Sequence, residues 1–453
     1  MKIVIIGGGK VGFAIAREMS GEGHDITIID HNRDSVESLS VALDCMVIQG
    51  DGNSLEAQRA ANVGESDLMI AATPNDEVNI LCCILAKKLG CRNNIARIRR
   101  WEYNEEIHLL QEELGLSMTV TPDGSAAREL FRLLQFPGFL KRSSFSKSRV
   151  EIVGVELNDK SILVGKQLSD LPRLLRQKIL ICAVKRGEET VIPTGSFRLQ
   201  AGDELLVTAP AAELSRLMEH LGLRSKKVRN VMIIGGSRVG INLAHMLCQA
   251  DVRVKLIDRG PEKCRALAEM LPAVQVICAD GTRQEVLRRE NITQMDAVVA
   301  LTNMDEENVF ICMYADMMGV PQVIPKVNRT EYTAVCQNCG IRAMISPKDI
   351  CAQEITRYVR AMQSTDAESV LSMYTLMDGS VEALEFEVKG DVPHLGERLA
   401  DVRLKPNILL CCITRQGKVI FPGGSDSLQE GDIAVVATTR NRVIVELRDI
   451  FED

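Results

Sequence analysis

The stretch Lys2–Gly12, KIVIIGGGKVG, runs four apolar residues into three successive glycines, and a fourth follows at Gly12. Residues 2–6 read as a short buried strand and the amphipathic run from Val11 to Met19 as a helix. Between them, Gly7-x-Gly9-x-x-Gly12 has the spacing of a dinucleotide loop. Its first glycine permits the tight turn, its second lets backbone approach a pyrophosphate, and its third allows close helix–strand packing. Gly8, Lys10 and Val11 complete the loop, and the helix start offers unpaired N–H groups to phosphate. The next strand, ITIID, ends in Asp30, placed to accept hydrogen bonds from a ribose hydroxyl. A carboxylate there repels a 2′-phosphate and favours NAD, ATP or ADP over NADP. A turn cap is the plainer role for the same residue.

The whole pattern is written twice. NVMIIGGSRVG at Asn230–Gly240 repeats the loop, with Gly235, Gly236, Ser237, Arg238, Val239 and Gly240 in the corresponding places. VKLID ends in Asp258 as ITIID ends in Asp30, and VIQGDG (47–52) answers to VICADG (276–281). TPNDEVN (73–79) matches TNMDEEN (302–308), and RIRRWEY (97–103) matches KVNRTEY (326–332). The match extends to PTGSFRLQAGDELLV (193–207) and PGGSDSLQEGDIAVV (422–436), so a two-domain unit is duplicated, about 1–222 and 228–453.

Within the first unit, apolar strands at about 2–6, 26–30, 45–49, 67–72, 94–98 and 118–120 alternate with helices such as Glu77–Leu89 and Asp123–Leu134. That alternation calls for a parallel sheet covered on both faces. The expected fold class is therefore α/β: two Rossmann-like doubly wound sheets, each followed by a small α+β module. The domains fall at 1–140, 149–222, 228–365 and 370–453. The polar, basic run KRSSFSKS (141–148) reads as a linker. In the small module, strands are expected at 150–157, 178–184 and 200–207, with a closing helix over 211–221.

Further site candidates lie where ligands of open α/β sheets sit, at the carboxyl edge. They are Thr73 and Pro74 after the fourth strand, Arg97 ending the fifth, and Asp51 and Gly52 after the third. Their counterparts are Thr302, Asn303, Lys326, Asp280 and Gly281. Thr73 and Asn75 are also good helix N-caps. Ser237 replaces Gly9, and its Cβ crowds a phosphate while its hydroxyl offers a donor in exchange. Lys10 and Arg238 share one slot, as phosphate contacts or as exposed helix-start residues.

At 453 residues the chain exceeds a single core, and a net charge of −7 argues against nucleic acid. No apolar run reaches the length of a membrane span and the N-terminus lacks a signal-peptide pattern, so a cytosolic protein is expected. Fourteen cysteines fall mostly in helix or strand patterns, as buried thiols do. Cys336-x-x-Cys339 stands without a second pair, and no metal site is expected. None of the six histidines belongs to a motif shared by both copies, and neither copy has a P-loop. Catalysis is not expected; an NAD-dependent oxidoreductase of the saccharopine-dehydrogenase kind is the alternative.

Duplicated glycine loop, ribose acid, Thr-x-x-Asp-Glu-x-Asn and small module resemble the regulator-of-potassium-conductance (RCK) family, in its two-unit TrkA type. The resemblance implies a non-enzymatic regulatory subunit on the cytoplasmic face of a multi-span membrane potassium transporter. It implies NAD(H), with ATP or ADP as alternative ligands, and a homo-oligomer, a tetramer by analogy. By motif match, Gly7 to Val11, Asp30, Thr73, Pro74 and Arg97 would line one site. Gly235 to Val239, Asp258, Thr302, Asn303 and Lys326 would line the other, with Ser237 and Lys326 as its departures.

Overall fold

The computed structural model describes residues 1–99, 109, 111, 113–135, 141–144, 151–159, 161–175, 179–187, 189–210, 213–214, 216–217, 221, 228–329, 331–341, 343–364, 370–377, 380–439, 444 and 446–452. The first lobe runs β1 (Lys2–Ile6), α1 (Lys10–Gly21), β2 (Asp25–Asp30), α2 (Arg33–Ala42), β3 (Met46–Gln49), α3 (Leu55–Ala60), β4 (Leu68–Ala71), α4 (Asp76–Leu89), β5 (Asn93–Arg97), β6 (Met118–Val120) and α5 (Pro122–Gln135). Its strands are parallel in the order β3-β2-β1-β4-β5-β6. The order reverses beside β1, which puts the crevice for a ligand above the loop after it. Both faces are covered, so β1 and β4 are unbroken apolar runs without alternation.

The first small module holds β7 (Lys141–Ser144), β8 (Glu151–Glu156), α6 (Leu171–Leu175), β9 (Leu180–Arg186), β10 (Glu189–Val191) and β11 (Glu204–Thr208). Its sheet is antiparallel, ordered β10-β9-β11-β8-β7. This corrects the expected linker: residues 141–144 are an edge strand on β8, Lys141 opposite Gly154. The stretch lacks apolar period because an edge strand is held by backbone pairing to a single neighbour. Residues 145–148, and most of the closing helix expected over 211–221, lie outside the described residues.

The second lobe repeats the first: β12 (Asn230–Ile234), α7 (Arg238–Gln249), β13 (Arg253–Asp258), α8 (Pro261–Met270), β14 (Gln275–Cys278), α9 (Gln284–Arg289), β15 (Ala297–Ala300), α10 (Asp305–Met317), β16 (Gln322–Pro325), α11 (Glu331–Asn338) and α12 (Pro347–Ser364). Its parallel order is β14-β13-β12-β15-β16. The second module adds the antiparallel sheet β17-β18-β21-β19-β20, from β17 (Val370–Leu376), β18 (Val381–Glu387), β19 (Ile408–Arg415), β20 (Lys418–Ile420) and β21 (Ile433–Thr439).

The chain groups into two units, residues 1–134 with 228–356, and 135–227 with 357–453. The repeat in sequence therefore runs across the grouping in space, where like pairs with like. In the first unit α5 carries Ala126, Leu130, Leu133 and Leu134 onto the second lobe, beside Val231, Ile233, Leu243 and Leu256. Gln322 Nε2 fastens that helix by donating to the Leu133 carbonyl at 2.9 Å. Arg17 on α1 pairs with Asp349 on α12 at 3.7 Å.

In the second unit the two module sheets share a core through Ile152, Cys182, Leu206, Cys411, Cys412 and Val435. The Gln-x-Gly-Asp turns repeated at 200–203 and 429–432 are structural. Arg186 donates through Nε and Nη2 to both Asp203 oxygens at 2.7 and 2.8 Å, and Arg415 grips Asp432 at 2.8 and 2.8 Å.

Candidate nucleotide-binding site

Gly7 follows β1 with φ +98°, a left-handed conformation, and Gly235 repeats it at +102°. A Cβ on Gly12 would lie 1.8 Å from the Gly7 carbonyl oxygen, so α1 starts against the strand only because that residue is glycine. A Cβ on Gly9 meets nothing within 4 Å. It would point into open space above the loop, where the spacing argument places a phosphate.

Asp30 is buried and holds the loop from beneath. Its Oδ2 accepts from the Gly8 N–H at 2.6 Å and its Oδ1 from the Asn32 N–H at 2.8 Å. The turn-capping role is thus present, and two further acceptor positions on the carboxylate remain for a ribose diol. Asn32 in turn caps α2, its side chain accepting from the Ser35 N–H at 3.1 Å.

The Thr-x-x-Asp-Glu-x-Asn motif is a brace between strand ends. Asn79 is fully buried; its Oδ1 accepts from the Thr73 N–H at 2.9 Å, and its Nδ2 donates to the Arg97 carbonyl at 2.8 Å. Asp76 accepts from the Arg99 N–H at 2.9 Å. The second copy repeats this: Asn308 accepts from the Thr302 N–H at 2.8 Å and donates to the Lys326 carbonyl at 2.9 Å, and Asp305 accepts from Asn328 and Arg329. The Asp and Asn of the motif therefore fix the backbone at the cation ending β5, and at the one following β16.

Arg97 is half-buried, its Nη1 donating to the Ala72 carbonyl at 3.4 Å, and Lys326 is buried; neither forms an ion pair among the described residues. Arg97 Nε is buried and unbonded, and Lys326 is 8% exposed with no described group on its ammonium. Burial lowers both below their ordinary values. Cys351, Asp123 and Asp76 oppose the fall at Arg97 while Arg99 adds to it; Asp305 and Asp123 oppose the fall at Lys326 while Lys10 adds to it. Leaving cations desolvated costs stability unless an anion arrives.

The second loop departs where a ligand would lie. Ser237 is the N-cap of α7, its Oγ accepting from the Gly240 N–H at 3.4 Å, so its hydroxyl is turned toward the helix. Asp258 accepts from Gly236 N at 2.9 Å and Gly260 N at 3.0 Å, and also from Lys263 Nζ at 2.6 Å. Burial raises its pKa, but Lys263 and the two N–H groups outweigh that and hold it low.

Both loops open onto one cavity of about 900 Å³ inside the first unit. Of the expected residues, Gly7, Gly9, Lys10, Val11, Asp30, Thr73, Pro74 and Arg97 line it from the first lobe. Gly235, Gly236, Ser237, Arg238, Val239, Asp258, Asp280, Gly281, Thr302, Asn303 and Lys326 line it from the second. Gly8, Gly12, Gly240, Asp51 and Gly52 are not on its wall; Gly52 is packed against Ile6. Arg99, Asp123, Arg259, Lys263 and Lys348 also line it, and no motif spacing pointed to them. Eight lysines and arginines face it against five carboxylates, in a chain of net charge −7. An anion is the complement of that wall, and the empty cradle at Gly9 with the unbonded Arg97 Nε fits a nucleotide phosphate.

The TrkA-N domain family matches residues 3–122 and 231–347, and the TrkA-C domain family matches 152–222 and 383–451. The chain belongs to the TrkA family. It is 30% identical over 459 residues to the Trk system potassium uptake protein TrkA of Vibrio alginolyticus, covering 100% of this chain and 99% of that one. The TrkA homolog of Archaeoglobus fulgidus is 30% identical over 451 residues, with 100% of each chain covered. Among solved structures, the GsuK RCK domain superposes with a TM-score of 0.64 at 17% identity, covering 97% of this chain and 92% of that one. The GsuK channel bound to NAD gives 0.63 at 18%, covering 97% and 77%. At such identities the likeness is one of fold. No described helix is long and apolar enough to cross a membrane.

Proposed function

We propose that this chain is a nucleotide-binding regulatory subunit that gates a membrane potassium transporter built from another polypeptide. The observation carrying the reading is the shared, cation-lined cavity between two glycine loops, in a chain related over its full length to Trk system potassium uptake proteins. The ligand is NAD(H), with ATP or ADP as alternatives, and the NAD-bound GsuK channel of the same fold supports this. Gly7 to Val11, Asp30, Thr73, Pro74 and Arg97 hold it in the first lobe. Gly235 to Val239, Asp258, Thr302, Asn303 and Lys326 hold its counterpart in the second. The domain limits are 1–140, 149–222, 228–365 and 370–453. The chain acts by binding, without catalysis, as a homo-oligomer, a tetramer of two-unit chains, on the cytoplasmic face of the membrane.

The device is a population shift. The cavity wall comes from both lobes, so a bound ligand has different affinities for different lobe arrangements, and only that difference moves the transporter. Calorimetry on the full chain with NADH and with ATP tests the binding. Co-purification with a multi-span potassium transporter, with and without nucleotide, tests the partner. Absence of binding by both nucleotides sinks the reading.

A further inference from the structure

The ribose ends of the cavity carry opposite electrostatics, and the residues responsible lie outside the repeated motifs. Beside Asp30 stand His31, Asn32 and Ser35; beside Asp258, at the matching positions, stand Arg259, Gly260 and Lys263. In the first lobe the side chain of Asn32 closes the α2 N-terminus. In the second, Gly260 brings no side chain to α8, Lys263 Nζ sits 2.6 Å from Asp258 Oδ2, and Arg259 lines the same wall. Asp258 therefore accepts three hydrogen bonds, one from an ammonium that offsets its charge, and Arg259 adds a second cation to that end, near Asp280 on the same wall. Independently, Lys326, a residue nine-tenths buried on the wall of the same cavity, points to an anionic ligand there.

We propose that the second lobe selects nucleotides phosphorylated on the adenosine ribose, the NADP(H) class, with Lys263 and Arg259 as specificity-determining residues. The first lobe, by contrast, takes the unphosphorylated diol. This rests on the nucleotide-binding reading above. A carboxylate with no lysine or arginine on it repels a 2′-phosphate, as at Asp30. With Lys263 half exposed beside Asp258, its ammonium keeps one donor on the carboxylate and has others for a phosphate oxygen, and the planar Arg259 fork suits two phosphate oxygens. Asp258 has correspondingly little acceptor capacity left for a diol, since an ionised carboxylate offers about four lone-pair positions.

Calorimetry of the full chain with NADPH, NADH and 2′-phospho-ADP-ribose tests the assignment. The native protein is expected to bind NADPH and 2′-phospho-ADP-ribose at one site per chain. Giving the second lobe the first lobe's residues, Lys263→Ser with Arg259→His, should lower the ratio of NADPH to NADH affinity by roughly 10- to 100-fold, the loss of one or two charge-assisted hydrogen bonds. The reciprocal pair, His31→Arg with Ser35→Lys, should add a second NADPH equivalent. Native protein that binds NADH but not NADPH overturns the proposal and leaves the regulatory reading standing. So does an unchanged ratio in the Lys263→Ser, Arg259→His variant whose melting curve matches the native one. Failure of all three ligands and ATP to bind overturns both.

Discussion

The two glycine loops share a backbone and much of their lining, and differ at the points nearest a ligand's phosphate and ribose. Gly7 and Gly235 adopt the same left-handed turn, and Asp30 and Asp258 tie down Gly8 and Gly236 in the same way. Yet Gly9 leaves open space where Ser237 places a capping hydroxyl, and the carboxylate of Asp30, with no lysine on it, becomes a lysine ion pair at Asp258. Duplication has kept the residues that set the chain's path and released those that choose a ligand. A motif that persists in both copies is thus as much a statement about backbone as about chemistry.

Even the shared backbone is not equally tight, and the largest expected effect tests this. A Cβ would lie 1.8 Å from a carbonyl oxygen at Gly12 but 2.7 Å at Gly240. Gly12→Ala should therefore cost about 3 kcal/mol in urea unfolding and Gly240→Ala about 1 kcal/mol, the ends of the usual overpacking range. Equal costs would erase the asymmetry.

Next come the buried cations. Arg97→Met is expected to weaken nucleotide binding in the first lobe, and Lys326→Met in the second, by roughly 10- to 100-fold. Each should raise the melting temperature of the ligand-free protein, because a desolvated charge is removed. Variants that lose both affinity and stability would show the cations to be structural instead.

The pH dependence is smaller. Burial puts Lys326 below the ordinary 10.5, so between its folded value and 10.5 the unfolded chain holds a proton the native one has lost. Stability from this residue is then expected to rise with pH across that window, while second-lobe affinity falls. Unfolding and calorimetry at stepped alkaline pH, against Lys326→Met, read both signs. Smallest is Ser237→Gly, expected to cost only a few tenths of a kcal/mol as a cap. It should nonetheless tighten phosphate binding toward first-lobe values, and unchanged affinity would clear Ser237 of crowding the site.

Much of each lobe was legible because its signals are local. Apolar runs of four or five residues mark parallel strands, and glycine spacing and a terminal Asp mark the turn after them. What escaped the sequence is what forms only on folding. Periodicity along α5 shows an apolar face but not that it lands on the other lobe, and no spacing relates Lys10 to Lys326 or brings the loops to one cavity. No motif spacing singles out Lys263, whose ammonium the first turn of α8 brings onto Asp258. The motif at 73–79 was assigned to the ligand edge in general, whereas its asparagine is a brace visible only through the carbonyl it holds. Residues 141–144 failed the apolar test because an edge strand is specified by its neighbour's backbone.

The landing of α5 on the second lobe has a consequence in time. Leu134 leaves the ribosome about 90 residues ahead of Val228, the start of the surface it covers. At roughly 5–20 residues per second, about 5–20 s pass before that surface begins to emerge and about 10–40 s before synthesis passes β16, and until then Leu130, Leu133 and Leu134 lack their full native cover. The N-terminal lobe is therefore born unfinished, with a greasy helix exposed while an entire module is translated. Chaperone contact is expected to concentrate on nascent chains halted within that interval, and to fade once synthesis passes β16.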